Sequence, residues 1–263
     1  MISLITVVID KVEKYFPIFY ESLNKYAKII SEVVICNAHF PSSYKKTWTI
    51  GNINYVMIGS KYTDLRHNFD ISQDHAFSLY EALKHSTKEI LYISDVDLFF
   101  YTNIDELYLK LINNYNLNII GVARNNPNIY SQGYFPSVVN MMLKKSELPS
   151  IEWTKNFNLD FGDNFFSFNT IWREKRSAFD KVMARPNCHY DTGCLLYLWA
   201  LENKWKWMSF ITHDLHNYST TPCIMNSNSI RLAKTRLLYH QSGSTGPGAF
   251  EQYKKAYHSI GED

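Results

Sequence analysis

The segment Glu89-Ile-Leu-Tyr-Ile-Ser-Asp95-Val-Asp97-Leu-Phe-Phe100 decides the fold. It opens on a short continuous apolar run and breaks into two carboxylates separated by one residue. A run of that length, apolar on both of its faces, reads as a strand inside a sheet covered by helices on both sides. Ligands of open α/β sheets bind beyond the carboxyl ends of the strands, which is where Asp95 and Asp97 fall. In a turn, their carboxylates can converge on one hard cation, and oxygen ligands suit Mg2+ or Mn2+.

Working outward, the same alternation of apolar runs and helical spacing recurs. Strands are expected at Ser3 to Ile9, Glu32 to Cys36, Tyr55 to Ile58, Glu89 to Ile93 and Asn118 to Val122. Helices are expected at Phe16 to Ile30, Ser72 to His85, Ile104 to Asn113 and Thr192 to Asn203. Ser137 to Lys144 reads as a strand crossing the end of the sheet. Trp153 to Arg185 has too weak a period to place, and Tyr239 to Gly248, rich in Gly and Ser, reads as a mobile loop. The expected fold is α/β: one domain, residues 1–263, with a mostly parallel central sheet flanked by helices.

The 263 residues are 46% hydrophobic and 16% aromatic, ample for a buried core. With 27 basic against 25 acidic side chains, the chain lacks the positive bias of a protein that lives on nucleic acid. Cys36, Cys188, Cys194 and Cys223 are too scattered for a zinc knuckle or redox pair, so reduced thiols in a cytoplasmic setting are expected. Ile2 to Ile9 is too short to span a membrane and has neither a basic flank nor a cleavage site, which leaves at most peripheral membrane contact.

The strand leading into Asp95-Val96-Asp97, with Asp74-His75-Ala76 and Leu79 upstream, resembles the acidic motif of the GT-A glycosyltransferases and the helix before it. The resemblance implies a GT-A (Rossmann-like) sheet, a nucleotide-sugar donor, by family frequency a UDP-sugar, and a division into a nucleotide- and metal-binding half at about 1–125 and an acceptor-binding half at about 126–263. It implies that Asp95 contacts the sugar or ribose and that Asp97 binds the metal. In His189-Tyr190-Asp191-Thr192-Gly193, Asp191 matches the base of inverting members, although this chain has Asp-Thr-Gly where many relatives have Glu-Asp. Asp191 is equally suited to cap the following helix. His240, in Leu237-Leu-Tyr-His240-Gln-Ser-Gly-Ser-Thr-Gly246, matches a third metal ligand, with Gly243, Ser244 and Gly246 suited to phosphate oxygens. Val8 and Asp10, or Ile9 in a shifted register, would lie beside the nucleoside. Arg66 and His75 would approach the diphosphate, and Trp153, Trp172, Phe165 and Tyr190 offer faces for stacking on sugars.

The acceptor implied is a hydroxyl of a glycan, with a modified DNA base less favoured on charge. A retaining mechanism on the same fold stays open, as does the oligomeric state. So do two other readings, a nucleotidyltransferase acting on sugar phosphates and a glycan-binding protein without turnover. The first would need a Gly-rich basic loop after the first strand, and Asp10-Lys-Val-Glu-Lys-Tyr15 contains no glycine.

Overall fold

A computed structural model describes residues 1–9, 12–60, 71–123, 135–155, 165–166, 192–212, 217–224, 236–241 and 246–260. Its strands are β1 (Ile2–Val8), β2 (Ile30–Pro41), β3 (Lys45–Ile50), β4 (Ile53–Ser60), β5 (Ile90–Ser94), β6 (Leu98–Phe100), β7 (Ile119–Ala123), β8 (Asn140–Lys144), β9 (Trp207–Thr212), β10 (Asn217–Ile224) and β11 (Arg236–His240). Its α-helices are α1 (Phe16–Tyr26), α2 (Ile71–His85), α3 (Ile104–Tyr115), α4 (Ile151–Thr154), α5 (Cys194–Glu202) and α6 (Ala249–His258). Among the described residues the strands form an 11-stranded sheet in the order β3-β4-β2-β1-β5-β8-β7-β9-β10-β11-β6. From the pairings, β1, β2, β4, β5, β7, β9 and β11 run one way and the other four run against them. The expected α/β fold is therefore met by a mixed sheet in which seven of the eleven strands share one direction and four of the ten pairings are parallel.

Side-chain alternation explains the two apolar layers. Leu4 and Val8, Val33 and Ile35, Tyr92, Ile120 and Val122 face one core with Phe19 and Leu23 of α1, Tyr108 of α3 and Tyr253 of α6. Their neighbours Ile5 and Val7, Val34 and Cys36, Leu91 and Ile93, and Ile119 face the other core, with Ala76 and Leu79 of α2 and Leu195 and Leu198 of α5.

Two expectations are corrected. β8 does not cross the end of the sheet; it lies within it, antiparallel to both β5 and β7. Its approach to β7 needs Gly121, where a Cβ would stand 2.4 Å from the Asn140 carbonyl oxygen. Nor does Tyr239 begin a loop: β11 runs through His240, and after residues 242–245, outside the described set, α6 starts at Ala249.

At the amino ends of the strands, buried carboxylates hold main-chain N–H groups. Asp105 Oδ2 accepts from Lys28, Ile29 and Ile30 at 2.8, 2.8 and 3.2 Å. Glu32 accepts from the Ser3 and Thr87 hydroxyls and the Thr87 N–H. The carboxyl ends are shaped by a different constraint. β6 lies six places from β5 in the sheet order, about 29 Å in a flat sheet. Only Asp95, Val96 and Asp97 join the two strands, a reach of at most about 14 Å. The sheet must curl until its last strands stand over the exit of β5.

Candidate metal centre

The curl brings residues from opposite ends of the sequence together. β6 pairs antiparallel with β11, Leu98 opposite His240, and the Gln241 N–H donates to the Asp97 carbonyl at 2.9 Å. His240 is thereby fixed beside Asp97, its Nε2 3.4 Å from Asp97 Oδ1. Asp95 is anchored from the residue before β8, where its N–H donates to the Val139 carbonyl at 2.9 Å. Ligand atoms of Asp95, Asp97 and His240 all lie within 4.8 Å of one another.

This donor set fits a divalent cation. Neighbouring ligands of an octahedral ion at about 2.1 Å stand about 3 Å apart, and opposite ligands about 4.2 Å apart. The Asp97–His240 separation already approaches the first figure, and the group as a whole would contract by only a fraction of an ångström on the second. Two carboxylates with one imidazole suit Mn2+ or Mg2+. Exposure grades across the group, with side chains 5% accessible at His240, 12% at Asp97 and 19% at Asp95. The site thus opens toward Asp95, the side from which a ligand would arrive.

His75, suggested by sequence as a diphosphate contact, projects from α2 and places Nε2 3.2 Å from Asp95 Oδ1. That contact orients the Asp95 carboxylate. Val8 closes β1 with its side chain in the core, 1% exposed, so a nucleoside there could meet its main chain but not its isopropyl group. Asp10, Arg66, Asp191, Ser244, Trp172 and Tyr190 lie outside the described residues. Phe165 is core, and Trp153 donates from Nε1 to Glu202 at 2.9 Å while packing edge-on against Trp199. The N-cap position of α5 is Gly193 at φ 92°, so the cap suggested for Asp191 falls on a later residue. A side chain at 193 would meet Val138, the neighbour of the Val139 that anchors Asp95.

Three supporting groups escaped the sequence reading. Asn140, opposite Ser94 in the ladder, donates to the Tyr92 hydroxyl at 2.7 Å and accepts from the Tyr108 hydroxyl at 3.0 Å, bracing the exit of β5. Tyr15 follows β1 in a single 3-10 turn, Glu13–Tyr15, and burial pushes its hydroxyl up to about 12, with the Asp97 charge adding to the effect. Gln241 is 2% exposed beside His240. Only Gln241 had a sequence signal, its adjacency to a suspected ligand.

No protein-family model matches the sequence, and no curated protein matches it significantly. Among solved structures, the chain is similar to a mannosyltransferase from Pyrobaculum calidifontis in complex with GDP-Man and Mn2+, at 16% identity over 56% of this chain and 45% of that one, TM-score 0.36. It is similar to TarS of S. aureus in complex with UDP-GlcNAc, at 13% identity over 60% and 48%, TM-score 0.39. It is also similar to the galactosyltransferase LgtC in complex with donor and acceptor sugar analogues, at 12% identity over 74% and 69%, TM-score 0.43. The chain spans about half the length of the first of these structures. Likeness at this level leaves substrate and mechanism to be argued from the site itself.

Proposed function

We propose that the chain is a metal-dependent glycosyltransferase that moves a sugar from a nucleotide-sugar, by preference a UDP-sugar, to a hydroxyl of a glycan acceptor. The observation that carries the reading is the convergence of Asp95, Asp97 and His240 at the carboxyl ends of β5 and β11. Asp97 and His240, the deeper pair, hold Mn2+ or Mg2+; Asp95, nearer solvent, shares the cation and faces the donor. A bound cation supplies charge stabilisation for the departing nucleoside diphosphate. His75 keeps the Asp95 carboxylate turned for this task.

Asp191 takes the proton from the acceptor hydroxyl as that oxygen attacks the anomeric carbon, giving inversion. In support, Gly193, two residues on, lies against Val138, next to the Val139 whose carbonyl anchors Asp95. This would bring the entrance of α5 to the same side of the sheet as the acidic pair. The division into a donor half and an acceptor half belongs to the same proposal, qualified by His240, which comes from the second half to complete the metal set.

The test is incubation with a panel of nucleotide sugars, with and without Mn2+. Release of nucleoside diphosphate, requiring the metal and lost in Asp97→Ala, is expected. Release of pyrophosphate from a nucleoside triphosphate and a sugar phosphate, with no nucleoside diphosphate released from any nucleotide sugar, would instead assign a nucleotidyltransferase. Binding of glycan with no turnover of any donor, unchanged by chelator, would leave a lectin-like protein.

A further inference from the structure

We propose that helix α6 positions the metal ligands, acting through Gln241, so that the spacing of Asp97 and His240 is set from the carboxyl-terminal helix. The inference rests on the reading of Asp95, Asp97 and His240 as cation ligands. Asp97 and His240 sit at the open end of the β6–β11 ladder, whose last strand pair is Leu98 with His240. Beyond that pair the rung that holds them together is the Gln241 N–H on the Asp97 carbonyl, 2.9 Å.

The side chain of Gln241 ties this rung to α6. Its Oε1 accepts from the Tyr239 hydroxyl at 2.9 Å, and its Nε2 donates to Gln252 Oε1 of α6 at 3.4 Å. The next residue of the helix reaches the other strand, where the Tyr253 hydroxyl donates to the Leu98 carbonyl at 2.7 Å. Gln252 and Tyr253 therefore grip both ligand-bearing strands from one helical turn. The Tyr253 ring is wedged edge-on against Phe99 at 5.2 Å and Tyr15 at 4.9 Å. A buried amide or hydroxyl deprived of its partner loses its desolvation compensation, so these groups have one satisfactory arrangement. Sliding the strands apart at Asp97 would break several bonds together, and partners of this kind typically change metal affinity 10–100-fold.

The test measures Mn2+ binding directly, from the electron paramagnetic resonance signal of free Mn2+ titrated with full-length protein and no donor. Tyr253→Phe keeps the ring packing and removes only the bond to Leu98; Gln252→Ala removes the acceptor for Gln241; Gln252→Glu restores it. The first two should raise the Mn2+ Kd about tenfold or more, and Gln252→Glu should return it close to wild type. A purely structural helix would lower the metal-free Tm in the first two and leave the Mn2+ Kd unchanged, which overturns the proposal. Asp97→Ala, run beside them, separates the two levels. If it too binds Mn2+ like wild type, the cation assignment itself has failed. If it loses the metal while the helix variants keep it, only the positioning role has.

Discussion

Replacing Asp97 with Asn should stabilise the metal-free protein and abolish its response to Mn2+. Carboxylates at Asp95 and Asp97 place ligand atoms within 4.8 Å of one another, and a pair of like charges at that distance repels by about 3.5 kcal/mol at an effective dielectric of 20. His75 and His240 each stand against one of these carboxylates, and Asp95 is partly exposed, so most of that repulsion is screened. What remains is on the order of 1 kcal/mol, or a rise of about 2–4 °C in Tm for a domain of this size. Asn preserves the shape and one acceptor oxygen, so little packing is lost. Wild type in Mn2+ at 100 times its Kd should gain about 2.7 kcal/mol, whereas the variant should gain little. The two melting curves should therefore exchange order between chelator and Mn2+. Differential scanning calorimetry in both buffers reads the outcome. A variant that melts at or below wild type in chelator, and rises by the same increment in Mn2+, would show that these carboxylates neither repel one another nor share an ion.

Asp191→Asn should lower kcat by about 10²–10⁴-fold while leaving Mn2+-dependent donor binding unchanged, measured by single-turnover kinetics beside thermal shift; equal kcat would remove it as the base. Asp105→Ala should destabilise the fold by about 3–5 kcal/mol in urea denaturation, since it strips a buried charge from three main-chain donors at the start of β2. Tyr15 and Tyr55 are both pushed up to about 12, chiefly by burial. Because the folded state keeps these protons longer than the unfolded chain, their contribution to stability is complete below pH 10 and is lost between pH 10 and 12. Denaturant midpoints should fall across that window, and less steeply in Tyr15→Phe.

The parts of the fold legible in sequence are those where one local signal sufficed. β1, β2, β5 and β7 are apolar on both faces, and no competing helical period fits runs so short. β3 went unread although its signal was present: Ile50 pairs with Ile53 around Gly51-Asn52, and Gly51 takes φ 57° in a two-residue hairpin loop. An edge strand carrying Lys45, Lys46 and Thr47 lacks the apolar run that betrayed its neighbours, so periodicity alone passed it over. β8 was found but misplaced, because a buried strand antiparallel to its neighbours is as apolar as a parallel one. β9 to β11 went unread; each is defined by its partners in the curled half of the sheet. The acidic pair could be read from its position after β5. His240 came from resemblance, and no spacing rule links residues 143 apart in sequence.

That distance is also what makes the site informative. At the amino ends of the strands, Asp105 Oδ2 and the Glu32 carboxylate accept from main-chain N–H and hydroxyl donors and act as staples. At the carboxyl ends, an imidazole stands against each of Asp95 and Asp97, and imidazole is itself a metal ligand. Residues of the same type thus do opposite work at the two ends of one sheet, because the curl delivers β11 to the second end and not to the first. A cation that draws Asp97 and His240 together must also favour the docking of β11 on β6, so metal binding and closure of the sheet are thermodynamically linked. Hydrogen exchange at the Gln241 and Tyr101 amides, which donate to Asp97 and Leu237 across that seam, should slow on adding Mn2+ and stay constant in Asp97→Asn. Protection that rises equally in both would mean that the ion binds elsewhere and that closure of the sheet owes nothing to the acidic pair.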